Sequence, residues 1–205
     1  MQSGMTWTTV RSRKNWMKHH DTRTPYSPAA GKGLNMDPRY DQIPAELTRL
    51  DRWVVWRYEK RNDTLTKPPY VPDPEKKRHA LVNVPSTWGS FDQAKAAMQA
   101  GGFDGIGFVL GEGIFGIDFD HATGEMVKEA LSLGTYTEWS PSGHGVHVIG
   151  RSGLRLRGRK KGPVELYMEG RYFTVTGAVV AGSPPSIREI PDPLLKQFFR
   201  RHFEE

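Results

Sequence analysis

The sequence predicts a mixed α+β domain over residues 43–205, preceded by a basic tail at residues 1–42. Three observations predict it. Short aromatic and β-branched runs such as Trp53–Tyr58 and Ile114–Asp120 have strand character. Helical spacing of apolar residues marks separate short segments such as Ser90–Ala100 and Leu194–Phe203. Glycine and proline turns punctuate these runs, and no internal repeat is visible.

The elements follow in order. Residues 1–42 are rich in Ser, Thr, Gly, Pro, Lys and Arg, lack periodicity, and read as a disordered tail with linker composition over Thr22–Asn35. Arg11, Arg13, Lys14 and Lys18 give that tail some capacity to touch nucleic acid. Pro44–Leu50 is a short helix with proline in its first turn. Trp53–Tyr58 is a strand, and Arg61-Asn62-Asp63 is a turn. Lys67–Tyr70 is extended, because each proline pushes its predecessor away from helix. In Ser90–Ala100, Phe91, Ala94 and Met98 share a helical face, and Gly101-Gly102 ends the helix. Gly105–Leu110 and Ile114–Asp120 are separated by Gly111-Glu112-Gly113, which predicts a β-hairpin. A helix at Glu125–Leu133, a strand at Thr135–Trp139 and a loop at Ser140–Gly145 come next. Strands at Val146–Ile149, Val164–Tyr167 and Tyr172–Val175 precede the amphipathic closing helix Leu194–Phe203.

Composition excludes several classes. The 205 residues contain no cysteine, which rules out disulfide scaffolds, thiolate zinc sites, cysteine nucleophiles and iron–sulfur clusters. No run approaches the ~18 apolar residues of a membrane span. The N-terminus lacks an apolar signal core, so a cytoplasmic protein without membrane association is expected. The formal charge of +6 is uneven: residues 1–43 carry +4, residues 44–150 carry −3, residues 151–171 carry +5 and residues 172–205 are neutral. A site for both metal and phosphate needs both signs close together. Gly111–Gly116 matches G-x-G-x-x-G in letters only, since these glycines open a strand and not a helix. Gly31-Lys32-Gly33 lacks the other residues of a P-loop, so ATPase and helicase activity are not expected. The Asn62-Asp63-Thr64 sequon and the His19-His20 pair carry no weight.

Three elements carry chemistry. Strand alternation puts Asp118 and Asp120 on one face with Cα atoms roughly 6.6 Å apart, opposite Phe115, Ile117 and Phe119. Two such carboxylates suit hard divalent cations, but Asp-x-Asp also occurs where a strand runs into solvent. The Gly-rich loop Ser140–Gly145 offers amides and hydroxyls to an anion, with His147 just inside the next strand. The same residues also suit an ordinary turn beside an edge histidine. On Val164–Tyr167, Glu165 lies on the polar side, and Arg171 opens the following strand. This pair serves either a metal and a phosphate or a simple ion pair. Arg155, Arg157, Arg159, Lys160 and Lys161 form a basic segment that either tracks a nucleic-acid backbone or is a solvated loop.

Taken in order, these motifs resemble the archaeo-eukaryotic primase superfamily, and specifically the bifunctional primase–polymerases of phages and plasmids. The residues are Asp118 and Asp120, then Ser142-Gly143-His144-Gly145-Val146-His147, then Glu165 with Gly170-Arg171-Tyr172-Phe173 and Thr176-Gly177. Trp53–Trp56, Lys67-Pro68 and Thr87-Trp88 extend the likeness over about residues 44–178. The resemblance implies a primase–polymerase core with an N-terminal α/β module and an RRM-like antiparallel module. It implies two Mg²⁺ or Mn²⁺ ions on Asp118, Asp120 and Glu165, and no zinc. It implies His147, Ser142, Gly143, Arg171 and Lys67 at the nucleotide, with His147 counted among the catalytic residues. Single-stranded DNA template, primer and dNTP or NTP are the expected partners, with a separate helicase. Met168 stands where many members have an acid, with Glu169 adjacent. Two other functions fit the same pocket: an idle, strand-binding replication accessory, and a nucleotide-sensing or defence module.

Overall fold

Residues 38–204 are described by a computed structural model. A 3-10 turn (Tyr40–Gln42) and a short helix α1 (Ala45–Thr48) lead to β1 (Trp53–Trp56), the ribbon β2 (Glu59–Arg61) and β3 (Thr64–Thr66), and β4 (Pro69–Tyr70). Helix α2 (Phe91–Ala100) precedes β5 (Gly105–Val109) and β6 (Ile114–Phe119). Then come α3 (Gly124–Ser132), β7 (Tyr136–Trp139), β8 (Val146–Arg151), β9 (Arg159–Lys161), β10 (Val164–Tyr167), β11 (Tyr172–Val175) and α4 (Asp192–Phe203). The α+β reading holds. Helix α2 begins as its sequence dictates, with Ser90 and Gln93 closing a reciprocal capping box.

Two antiparallel sheets form the core. The first has strand order β11-β5-β1-β4, and the second β7-β8-β6-β10-β9. All four residues of β1 are buried, because β1 lies inside its sheet and is covered on both faces. The indole N–H groups of Trp53 and Trp56 donate to Leu47 O (3.1 Å) and Ile106 O (3.0 Å), so these large rings enter the core without an unpaired donor. Helix α2 seals the first sheet through Ala94 and Ala97. On the second sheet, Phe115, Ile117, Phe119, Val146, Val148, Val164 and Leu166 form one face, packed with Ala130 of α3 and with Leu195 and Phe198 of α4. That leaves the opposite face of the second sheet for the site.

The hairpin expected over residues 105–120 does not form. β5 belongs to the first sheet and β6 to the second. Gly111, Glu112 and Gly113 all have positive φ (139°, 53° and 81°), and one bridge between Gly111 and Ile114 closes the turn. Beyond that turn the strands part, because neither has an edge to offer the other. β5 is already flanked by β1 and β11, and β6 by β8 and β10. The expected modules are therefore not consecutive in the chain, since the first sheet is completed by β11.

Two smaller differences concern the ends of the expected elements. The turn at residues 61–63 belongs to a two-stranded ribbon, with Asn62 (φ 46°) and Asp63 (φ 60°) in the left-handed region that such tight hairpins require. Residues 38–42, assigned by sequence to the tail, lie against the domain. Arg39 N donates to Thr176 O at 2.7 Å, and the Tyr40 ring meets Phe91 edge-on at 6.0 Å. The basic tail residues Arg11, Arg13, Lys14 and Lys18 lie outside the described residues. Among the described residues no helix is long and apolar enough to cross a membrane.

Candidate functional site

The antiparallel register aligns five residues in one row across the second sheet. Glu138 of β7 pairs with His147 of β8, His147 with Asp118 of β6, Asp118 with Glu165 of β10, and Glu165 with Lys160 of β9. Side chains two residues apart share a face, so one register step away the same face carries Tyr136, Ile149, Gly116 and Tyr167. This second row is sealed against the first sheet. The Phe173 ring lies on Gly116, where a Cβ would come within 2.6 Å of it. Phe173 also flanks the imidazole of His147, with ring centroids 5.3 Å apart.

Asp118, Asp120 and Glu165 converge. One carboxylate oxygen from each lies within 4.8 Å of the others. Strand alternation aims Asp118 and Asp120 the same way, and β10 adds Glu165 because its register places it directly beside Asp118. Asp118 Oδ1 is buried without a hydrogen-bond donor. The nearest basic nitrogen is His147 Nε2 at 3.6 Å, beyond hydrogen-bond distance. Burial, and then the charges of Asp120 and Glu165, hold the Asp118 carboxyl above the usual range, and His147 and Lys67 offset this only in part. Three acids crowded round a buried, unpaired oxygen have the hard all-oxygen donor set that magnesium and manganese take, so the residues fit such ions.

His147 is buried and held from behind. Its Nδ1 lies 3.0 Å from Thr174 O and 3.6 Å from Glu138 Oε1, so Nε2 faces Asp118. Burial alone would lower its pKa, but Glu138 and Asp118 together outweigh burial and raise it. Sequence patterning does not single out Glu138. It is fully buried (0% exposed) and accepts from Thr176 N (3.0 and 3.1 Å), Gly177 N (2.8 Å) and the Tyr136 hydroxyl (2.8 Å). The one available signal is an acid at the period-two partner position of Tyr136, two residues before the Gly-rich loop.

Lys67 approaches from the connection between β3 and β4. Its Nζ lies over the rings of Trp56 (5.6 Å) and Tyr58 (5.9 Å), and the Tyr172 hydroxyl donates to its carbonyl. Burial lowers its pKa, while Asp118 and Asp120 pull it back upward. The loop carrying Ser142 and Gly143 lies beside the end of β6, where His144 O accepts from Ala122 N at 2.7 Å. Several of its amides are already committed. Gly143 N donates to Ser140 O, His144 N to Ser142 Oγ, and Gly145 N to Ser140 Oγ. An amide cradle for an anion is thus largely used up in holding the loop, and the Ser142 hydroxyl also lies 3.0 Å from Ser140 Oγ, with Ser142 and His144 as the loop's exposed polar side chains.

Other expected residues lie elsewhere. Arg171 is exposed and stacks on Tyr167 at 4.8 Å, one row from the carboxylates. Glu169 lines a separate cleft with Glu112, Ser152 and Arg155, so it is no auxiliary to the acidic group. In the basic segment, Leu154 and Leu156 pack on the core while Arg155, Arg157 and Arg159 are exposed. Lys160 departs from this group. It sits in the polar row, donating to Glu165 and lying 3.7 Å from Asp120 Oδ2, whereas Arg159 and Lys161 alternate to the other side of β9.

Fold and site together define a class: an antiparallel α+β domain whose sheet presents three carboxylates and a backed histidine on one face. No protein-family profile matches the chain. Among curated proteins it is similar to the DNA primase-polymerase of Nitratiruptor phage NrS-1, at 35% identity over 185 residues. That alignment covers 80% of this chain and 24% of the phage protein, so the chain spans about a quarter of its relative's length.

Proposed function

We propose that this domain is the catalytic module of a DNA primase–polymerase, adding nucleotides to a 3′-hydroxyl on a single-stranded DNA template with release of pyrophosphate. The observation that carries this reading is the convergence of Asp118, Asp120 and Glu165 to within 4.8 Å, in a chain 35% identical to a phage primase-polymerase. Asp118, Asp120 and Glu165 would hold two Mg²⁺ or Mn²⁺ ions. When bound, such ions acidify an attacking hydroxyl and stabilise the departing pyrophosphate.

The chain's own residues divide the remaining work. The His147 Nε2 edge beside Asp118 donates to a phosphoryl oxygen, and Glu138 and Thr174 O fix the ring in that direction. Lys67 brings positive charge to the triphosphate from the connection between β3 and β4, and its aromatic surroundings restrict its movement. The Ser142 hydroxyl, the turn at Gly143 and the Arg171 guanidinium contribute further nucleotide contacts. Arg155, Arg157, Arg159 and Lys161 follow the template backbone. Positioning and charge neutralisation supply most of the rate in such transfers. A separate helicase completes the proposed replication role.

Labelled dNTP with Mn²⁺ on primed and unprimed single strands tests this. Incorporation that disappears in Asp118→Ala/Asp120→Ala, with an unchanged circular dichroism spectrum, is expected. Full incorporation by the double variant refutes the assignment, and strand binding without any incorporation by the unmodified protein would favour the accessory reading.

A further inference from the structure

The second sheet carries its own cation into the acidic group. We propose that Lys160 is an internal competitor for the divalent-ion site: its ammonium occupies the carboxylates in the ion-free protein and must leave Glu165 before ions bind. The inference rests on reading Asp118, Asp120 and Glu165 as ion ligands.

Register places Lys160 directly across from Glu165, on the outermost strand of the sheet. Its Nζ donates to Glu165 Oε1 and lies 3.7 Å from Asp120 Oδ2, so one ammonium spans two of the three carboxylates. The third, Asp118, retains the unpaired buried oxygen, which Lys160 does not reach. A single positive charge therefore serves the cluster incompletely, which leaves a higher-charged ion the advantage. Lys160 also has somewhere to go. Its side chain is 55% exposed, and β9 has β10 on one side only. Swinging the flexible stem into water breaks no backbone pairing. Composition groups Lys160 with its basic neighbours, but strand alternation turns Arg159 and Lys161 away from the cluster. The segment thus contains one residue that competes for the ion site and others that do not.

Those neighbours supply the control. Mn²⁺ alone is titrated into the full chain without nucleotide, and free Mn²⁺ is read by electron paramagnetic resonance. Lys160→Met is expected to tighten Mn²⁺ binding by about fivefold, the equivalent of an exposed ion pair worth ~1 kcal/mol. Lys161→Met removes the same charge from the same strand, and is expected to change binding by less than about twofold, since only the screened long-range field changes. Asp118→Ala should abolish binding in every background. Equal tightening by both lysine variants, or no tightening by Lys160→Met, overturns the competition while leaving the ion site intact. Mn²⁺ binding that survives Asp118→Ala, or is absent from all lysine backgrounds, overturns the underlying site and this inference with it.

Discussion

Glu138 offers the sharpest test of how the site is held. Its carboxylate is fully buried, and Oε2 alone accepts from Thr176 N, Gly177 N and the Tyr136 hydroxyl. In Glu138→Gln, the amide oxygen can keep the Oε2 position and all three donors. The new amide nitrogen then takes the Oε1 position, 3.0 Å from Thr176 N and 3.6 Å from His147 Nδ1, placing donor against donor. Bonds to an ionised acceptor contribute about 1.5–3 kcal/mol and neutral ones about 1, so weakening three of them costs roughly 3 kcal/mol. Glu138→Ala leaves all three donors unpaired, at about 1–3 kcal/mol each, and opens a cavity besides. Against a total stability of about 5–15 kcal/mol, that variant approaches unfolding. Urea denaturation followed by tryptophan fluorescence measures both variants, with the slope checked for constancy. A loss below about 1 kcal/mol in Glu138→Ala would refute the claim that this carboxylate satisfies the buried donors of Thr176, Gly177 and Tyr136.

Two further outcomes are expected. Asp118→Asn should abolish incorporation yet raise the melting temperature of the protein in EDTA. The sign follows from linkage. The folded carboxyl titrates above its unfolded value because of burial and its acidic neighbours, so its ionisation costs stability as pH rises from the ordinary carboxylate range, and the asparagine removes that cost at neutral pH. A lower melting temperature would contradict this. Replacing Arg155, Arg157 and Arg159 together by Ala should flatten the salt dependence of single-strand binding by about two units of log–log slope, since each arginine that neutralises a phosphate contributes ~0.7. An unchanged slope in fluorescence anisotropy titrations would remove these arginines from the template path.

Much of the site was legible because strand alternation is local. Asp118 and Asp120 had to share a face, and so did Glu165 and Tyr167, once their segments were strands. What sequence could not supply was pairing. Gly111-Glu112-Gly113 has the chemistry of a hairpin turn, and it does make a turn. Whether the flanking strands then pair depends on who else claims their edges, and those claimants lie at β1, β8, β10 and β11. Lys160 is hidden for a related reason. Composition groups it with its basic neighbours, whereas register against β10 separates it from them. Glu138 escapes notice because Tyr136–Trp139 looks like any strand, and the donors that justify a buried acid come from Thr176 and Gly177.

The first sheet also sets a timetable for the molecule. Trp53 pairs with Phe108, and Phe108 with Phe173, so the sheet draws on strands from Trp53 to Val175 and closes only when β11 arrives. The Phe173 ring and the Thr174 carbonyl that back His147 arrive on that same strand. Such distant pairings fold slowly, because loop-closure entropy is paid before contacts repay it. On the ribosome, Asp118, Asp120 and His147 emerge well before Phe173 and Thr174. The imidazole therefore gains the Thr174 carbonyl and the Phe173 ring only after synthesis has passed Val175, and a chain interrupted before β11 would carry every proposed catalytic residue with its histidine backed by Glu138 alone.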